Sequence, residues 1–135
     1  MKRRYMLDTD ICIYLAKGRY PQVTARFERL HADQPIMSVI TYGELHHGAN
    51  KSSDRSRSLA NLGELIQEIP VEDLTVSAAE AYGRIRATIQ KQGRVIGSND
   101  LWIAAHAMSM DITLATNNER EFLRVTGLSV ENWTK

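Results

Sequence analysis

The stretch Tyr5-Met6-Leu7-Asp8-Thr9-Asp10 constrains this chain more than any other. A short apolar run of strand length stops on a carboxylate, and the helical spacing of Ile11, Tyr14 and Leu15 begins at once. A carboxylate at the C-terminal end of a parallel strand opens into the crevice where α/β sheets place their ligands. Two carboxylates there repel each other unless a proton or a cation lies between them. The competing duty is to cap the following helix, and Asp10 is the better candidate for it. One cap needs only one Asp, which leaves Asp8 without a structural reason for its place.

The rest of the chain alternates in the same way. Gly18 ends the first helix, and Pro21 opens a second that runs to about Ala32. Pro35-Ile36-Met37-Ser38 reads as a strand, and Ile40 to about Asn50 as a helix. Lys51 to Ser58 is polar, a loop or helix start. Leu59, Leu62, Leu65 and Ile66 form an amphipathic helix before a short strand at Ile69-Pro70-Val71. Ser77 with Glu80 makes a capping box for a helix ending at Gly93, and Leu101 to Met108 is apolar nearly all round, as a buried helix is. Strand Ile112 to Thr116, a helix from Asn117 to Arg124 and a last strand at Leu128 to Val130 complete an α/β pattern with a mainly parallel sheet. At 135 residues, without a linker or repeat, residues 1–135 are expected to form a single domain.

Composition bears on partners and compartment. The net charge of +1 gives no global field for nucleic acid or a membrane surface, so any polyanion must be held by a local patch. A single cysteine, Cys12, cannot form an intramolecular disulfide. Lys2, Arg3 and Arg4 supply the positive charge of a signal peptide, but Asp8 and Asp10 interrupt any apolar core for one. No stretch approaches the roughly 18 apolar residues of a membrane span. A soluble cytoplasmic protein is expected.

Several acids are out of place if they only face water. Glu44 shares a helix face with Ile40 and Leu45, an expensive position for an unpaired charge. Asp100 opens the most apolar helix, although Ser98 or Asn99 could cap it equally well. Asn117, Asn118, Glu119 and Glu121 follow a strand end, as Asp8 does. In a parallel sheet such ends converge on one edge. Converging carboxylates without His or Cys at ligand spacing suit a hard cation, Mg²⁺ or Mn²⁺. His46 and His47 are adjacent, and His31 and His106 stand alone, so surface or packing roles are expected of all four. Arg84, Arg86, Lys91 and Arg94 lie on or just after one helix; they are either a solvated face or a grip on phosphates beside the acidic pocket.

With those residues in hand, the chain resembles the VapC toxins, PIN-domain ribonucleases of type II toxin–antitoxin systems, in their enteric-type branch. The segments YMLDTDICIYL, SVITYGEL, YGRIRATIQKQGRVIGSNDLWIAAHAM and TLATNNEREFLRVTGLSVENW carry the likeness nearly end to end. It implies a three-layer α/β/α PIN-like domain with a short parallel sheet and an acidic Mg²⁺ pocket. Asp8, Glu44 and Asp100 match the family's first three acids, and Asn118 stands where the fourth is commonly Asp. Glu121, or failing it Glu119, is expected to compensate. Asp10 is a second departure, because the family usually has Asn there. The resemblance implies Asp8 and Asp100 as metal ligands and Glu44 as a ligand or water-orienting group; on the residues alone, Arg84 and Arg86 are the candidates for binding substrate phosphates. It implies endonucleolytic cleavage of RNA, in several members of initiator tRNA in its anticodon loop, with arrest of translation. It also implies a VapB antitoxin that blocks the pocket, a toxin homodimer, and operator DNA bound only through the antitoxin.

Three rivals remain at this point. The DTD triplet mimics the start of haloacid-dehalogenase-type phosphatases, whose first Asp is a nucleophile, though Lys91 is a poor match for the lysine they need. A phospho-receiver domain would need an Asp where Ser38 and Val39 stand. A VapC-like chain that is catalytically weak and acts by binding VapB and operator DNA is the reading that Asn118 favours.

Overall fold

The computed structural model describes residues 4–135, so Lys2 and Arg3 of the basic start lie outside the described residues. In chain order the elements are β1 (Tyr5–Leu7), α1 (Thr9–Lys17), α2 (Pro21–Glu28), β2 (Pro35–Ser38), α3 (Val39–Asn50) and α4 (Arg55–Glu68). They continue with β3 (Val71–Glu72), α5 (Val76–Lys91), α6 (Ser98–Met110), β4 (Thr113–Thr116), α7 (Glu119–Phe122) and β5 (Val130–Asn132). The strands form one parallel sheet in the order β3-β2-β1-β4-β5. Register pairs Tyr5 with Pro35 on one side of β1 and Leu7 with Ala115 on the other.

Period-two alternation along the three central strands divides the core into two layers. Met6, Ile36 and Leu114 point to one face, where Ile89 of α5 and Leu101, Ile103, Ala104 and Ala107 of α6 cover them. Leu7, Met37 and Ala115 point to the other, against Ile11 and Cys12 of α1, Val23 of α2 and Trp133. Helices therefore cover both faces of a parallel sheet, the arrangement such sheets need to be buried. The expected α/β/α architecture is the one observed.

Helix boundaries depart from the sequence reading at several points. Asp8, not Asp10, caps α1: its Oδ1 accepts from the Thr9 N–H at 2.8 Å. Thr75 rather than Ser77 caps α5, accepting from the Ala78 N–H at 3.2 Å, because Thr75 holds the extended backbone a cap requires while Ser77 is already helical. At α6 the cap position is Gly97, without a side-chain bond, and Ser98 and Asn99 are both inside the helix. Helix α2 stops at Glu28, α7 is one short turn, and β5 lies two residues later than its apolar run, its register set by pairing with β4. His106 is buried, its Nδ1 2.9 Å from Ser38 Oγ, which also caps α3. His31, His46 and His47 are exposed.

Candidate active site

The C-terminal ends of β1 and β4 lie side by side, and the Asp8 N–H extends their ladder by donating to the Ala115 carbonyl at 2.9 Å. Asp8 is therefore fixed at the sheet edge, only 4% exposed. Its two carboxylate oxygens have different partners: Oδ1 accepts from the Thr9 N–H, and Oδ2 from the Thr116 hydroxyl at 2.8 Å. Burial pushes its pKa up to about 6, against those two donors and with the help of the charges of Asp10 and Glu44.

Glu44 reaches this edge from α3. Its Oε1 accepts from the Thr9 hydroxyl at 2.5 Å, and its Oε2 from the Asn99 amide of α6 at 3.4 Å. Thr9 thus joins Asp8 and Glu44, through its N–H to one and its hydroxyl to the other. Asp100 lies in the first turn of α6, one residue beyond Asn99. Burial is the largest reason its pKa is pushed up to about 7, followed by the charges of Asp8 and Glu121, a hydrogen bond with Glu121 and the charge of Glu44. Glu121 behaves oppositely. Burial raises it, but the Gly97 N–H at 2.8 Å, the Asn118 amide at 2.7 Å and Asp100 together hold it below its ordinary value. Of the two, Asp100 therefore holds a shared proton more tightly than Glu121.

Gly97 is where these two carboxyls meet: a Cβ there would lie 3.8 Å from Glu121 Oε1 and 3.9 Å from Asp100 Oδ2. Asp10 stands at the rim, raised by burial and then by Glu44. Asn118 belongs to the same cluster through Glu121, and its N–H donates to the Thr116 hydroxyl at 2.9 Å. Glu119 turns away, pairing with Lys135 and accepting from the Asn132 amide at 3.4 Å. Of the two acids able to replace an Asp at 118, only Glu121 is in the cluster.

The structure thus brings Asp8, Glu44, Asp100 and Asn118 to one edge. Arg84 and Arg86 are not in that cluster; both are exposed on α5. Arg86 lies over the Tyr82 ring and donates to its hydroxyl at 3.0 Å, and Tyr82 in turn stacks on Trp102 of α6 at 3.8 Å. Lys91 is exposed in the last turn of α5. The sequence reading missed Thr9, Thr116 and Gly97, which orient the acids. Their only signal is position: Thr9 follows Asp8, Thr116 ends a strand and Gly97 precedes the helix that bears Asp100.

Among the described residues no three His, Cys, Asp or Glu side chains are already gathered closely enough to enclose an ion. The donor chemistry nevertheless fits a hard divalent cation. The groups are all oxygen, and burial together with the neighbouring negative charges raises the pKa of both Asp8 and Asp100, a cost to their charged forms that a cation would relieve. Beside the cluster a groove of about 810 Å³ runs between α1–α2 and α3–α4, lined by Ile13, Leu15, Phe27, Leu45, Leu62 and Leu65 among others. Thr9 and Glu44 line it too, so groove and cluster share a wall. No helix among the described residues is long and apolar enough to cross a membrane.

Comparison with known proteins places the chain in a family. The PIN domain family matches residues 5–128. Ribonuclease VapC2 of Haemophilus influenzae is 42% identical over 130 residues, 96% of this chain and 98% of that protein. The tRNA(fMet)-specific endonuclease VapC of Shigella flexneri is 41% identical over 131 residues, 97% of this chain and 98% of that protein. Among solved structures, VapBC-1 from nontypeable Haemophilus influenzae superposes with a TM-score of 0.90 at 42% identity, covering 97% of this chain and 98% of that one. DNA-bound VapBC from Salmonella typhimurium gives 0.91 at 37% identity with the same coverage. The chain belongs to the PIN-domain family, among its VapC ribonucleases.

Proposed function

We propose that this chain is the toxin of a VapBC-type toxin–antitoxin pair, a divalent-cation-dependent endoribonuclease of the cytoplasm that cuts RNA and so arrests translation. The observation that carries this reading is the meeting of Asp8, Glu44, Asp100 and Glu121 at one edge of a parallel sheet. Asp8, Asp100 and Glu121 would hold Mg²⁺ or Mn²⁺. Bound there, the cation supplies Lewis acidity toward the scissile phosphate and eases ionisation of water at neutral pH. Glu44, held from two sides by Thr9 and Asn99, orients the attacking water and takes up its proton. Asn118 positions Glu121, so the acid missing at 118 is supplied from one helical turn further on. That hydrogen bond supports an active enzyme over a catalytically weak chain. Arg84 and Arg86 hold flanking phosphates of the substrate.

Initiator tRNA, cut in its anticodon loop, is the substrate we favour, because relatives that match over nearly their whole length are named tRNA(fMet)-specific endonucleases. A VapB-type antitoxin is the partner, in keeping with the VapBC complexes among the structural relatives. Its inhibitory segment occupies the apolar groove and ends at Glu44 with a basic residue, since the shared wall gives an acidic end to an apolar track. The toxin acts as a homodimer, and operator DNA is bound only through the antitoxin. The test is end-mapping of tRNA after incubation with purified chain and Mg²⁺, beside Asp8→Ala and a chelator control. A discrete anticodon-loop cut that both controls abolish is expected. Cleavage undiminished in chelator and in Asp8→Ala would remove the assignment.

A further inference from the structure

We propose that Tyr14 and Tyr20 form a stacking platform for an unpaired base of the RNA substrate, an inference that rests on the ribonuclease reading. The two rings are in contact, with centroids 4.6 Å apart and planes inclined at 55°. Tyr14 lies one helical turn beyond Asp10 on α1, and its hydroxyl accepts from the Asn117 side-chain amide at 2.9 Å. Asn117 directly follows Thr116, whose hydroxyl holds Asp8, and its own Oδ1 accepts from the Thr134 hydroxyl at 3.0 Å. The platform is thereby pinned to the same β4 end that carries the carboxylate cluster. Neither ring lines the apolar groove, whose α1 wall is made by Ile13, Leu15 and their neighbours. A partner segment lying in that groove and a base on the platform would therefore use different surfaces.

The backbone at Tyr20 strengthens the case. The turn joining α1 to α2 needs left-handed backbone at Gly18 (φ 66°) and again at Tyr20 (φ 56°, ψ 88°). Glycine takes that conformation freely, whereas a tyrosine is strained in it. Gly or Asn at position 20 would make the turn with less strain and contribute no ring. The ring is 42% exposed, so it is not retained as core. Next to a pocket built for a phosphodiester, a half-open aromatic pair matches the way proteins take up splayed single-stranded bases.

Steady-state cleavage of an RNA hairpin with a single-stranded loop tests this, together with fluorescence of 2-aminopurine placed in that loop and read in chelator. Tyr20→Ala and Tyr20→Gly are expected to raise KM about tenfold, to leave kcat within about twofold, and to abolish quenching of the probe. Tyr20→Phe is expected to match the wild type in all three. The thermal midpoint of Tyr20→Gly is expected not to fall, which separates loss of the ring from loss of the fold. Unchanged KM and quenching in Tyr20→Ala and Tyr20→Gly, in a wild-type protein that does cut the hairpin, would overturn the platform and leave the ribonuclease reading intact. So would a Tyr20→Ala protein that binds RNA normally and loses only its hold on a VapB-type segment. A wild type that neither binds nor cuts RNA would overturn both.

Discussion

Asn118 donates its side-chain amide to Glu121 Oε2 at 2.7 Å, while the other oxygen of Glu121 accepts the Gly97 N–H. A position that reads as a missing acid is thus the support for another acid. Three donors hold the pKa of Glu121 down, while burial first, and then the charges of Asp8 and Glu121, push that of Asp100 up.

Asn118→Ala removes one of those donors and frees the Glu121 side chain. Supporting groups of this kind typically alter metal affinity or activity by about 10–100-fold. The expected result is a rightward shift of that order in the Mg²⁺ dependence of cleavage, largely recovered at high Mg²⁺. Glu121→Gln, which removes the charge itself, is expected to show no such recovery. A magnesium titration of the initial rate for both variants decides it.

Thr116 has a heavier duty than its size implies, since its hydroxyl donates to Asp8 and accepts from the Asn118 N–H in a fully buried position. Thr116→Val keeps the shape and leaves both partners unmatched. Buried polar groups stranded in this way cost about 1–3 kcal/mol each. The Asn118 N–H is only partly buried, so the stranded Asp8 oxygen sets the scale; urea denaturation is expected to show a loss of about 1–3 kcal/mol, whereas Thr134→Val, close to the surface, should lose less.

Thr9 and Thr116 also mark the limit of what could be read before the fold was known. Asp8, Glu44 and Asp100 stood out because a carboxylate on an apolar segment contradicts its surroundings. The two threonines contradict nothing, and their importance follows only from strand register and the approach of α3. Caps failed for a related reason: choosing between Thr75 and Ser77 depends on which residue has extended backbone, and both side chains are competent. The β1–α1 switch was legible because strand, carboxylate and helix are contiguous. The partner of Glu44 was not, because Thr9 lies 35 residues away in the chain.

The cap assignment is itself testable. Thr75→Ala should destabilise the protein by about 1 kcal/mol, the usual cost of losing a side-chain cap. Ser77→Ala, inside the helix and exposed, is expected to be neutral or slightly favourable because alanine is the better helix former. Equal effects in thermal unfolding would place the helix start wrongly.

Arg84 and Arg86 are exposed on α5, outside the carboxylate cluster, so an electrostatic grip on RNA must act through phosphates. Replacing both with Ala should lower the slope of log affinity against log salt by about 1.4, at about 0.7 for each single-strand phosphate no longer neutralised. Binding measured in chelator between 50 and 200 mM salt (roughly the range over which such ion pairs weaken) gives the slope directly. An unaltered slope would make them a solvated face.

The last expectation concerns pH and follows from the two raised carboxyls. In the metal-free protein Asp8 titrates near 6 and Asp100 near 7, against an ordinary 3.8 in the unfolded chain. The folded state therefore binds protons more tightly than the unfolded one, and folding is favoured where those protons are on. Below about pH 4 both states are protonated and no penalty exists. As pH rises the unfolded chain ionises first, so stability falls progressively and the penalty is complete above about pH 7. For buried Asp8 alone the full effect is of order 3 kcal/mol. In chelator, the thermal midpoint should be higher at pH 5.5 than at pH 8, and Asp8→Asn should flatten that difference while raising stability at pH 8. Asparagine caps a helix as well as aspartate does, so α1 keeps its start. Added Mg²⁺ should raise the pH 8 midpoint of the wild type and leave that of Asp8→Asn almost unmoved. A wild-type midpoint in chelator that climbs between pH 5.5 and pH 8 would mean that Asp8 and Asp100 are stabilised by partners rather than strained by burial, and the carboxylates would then have no reason to call for a cation.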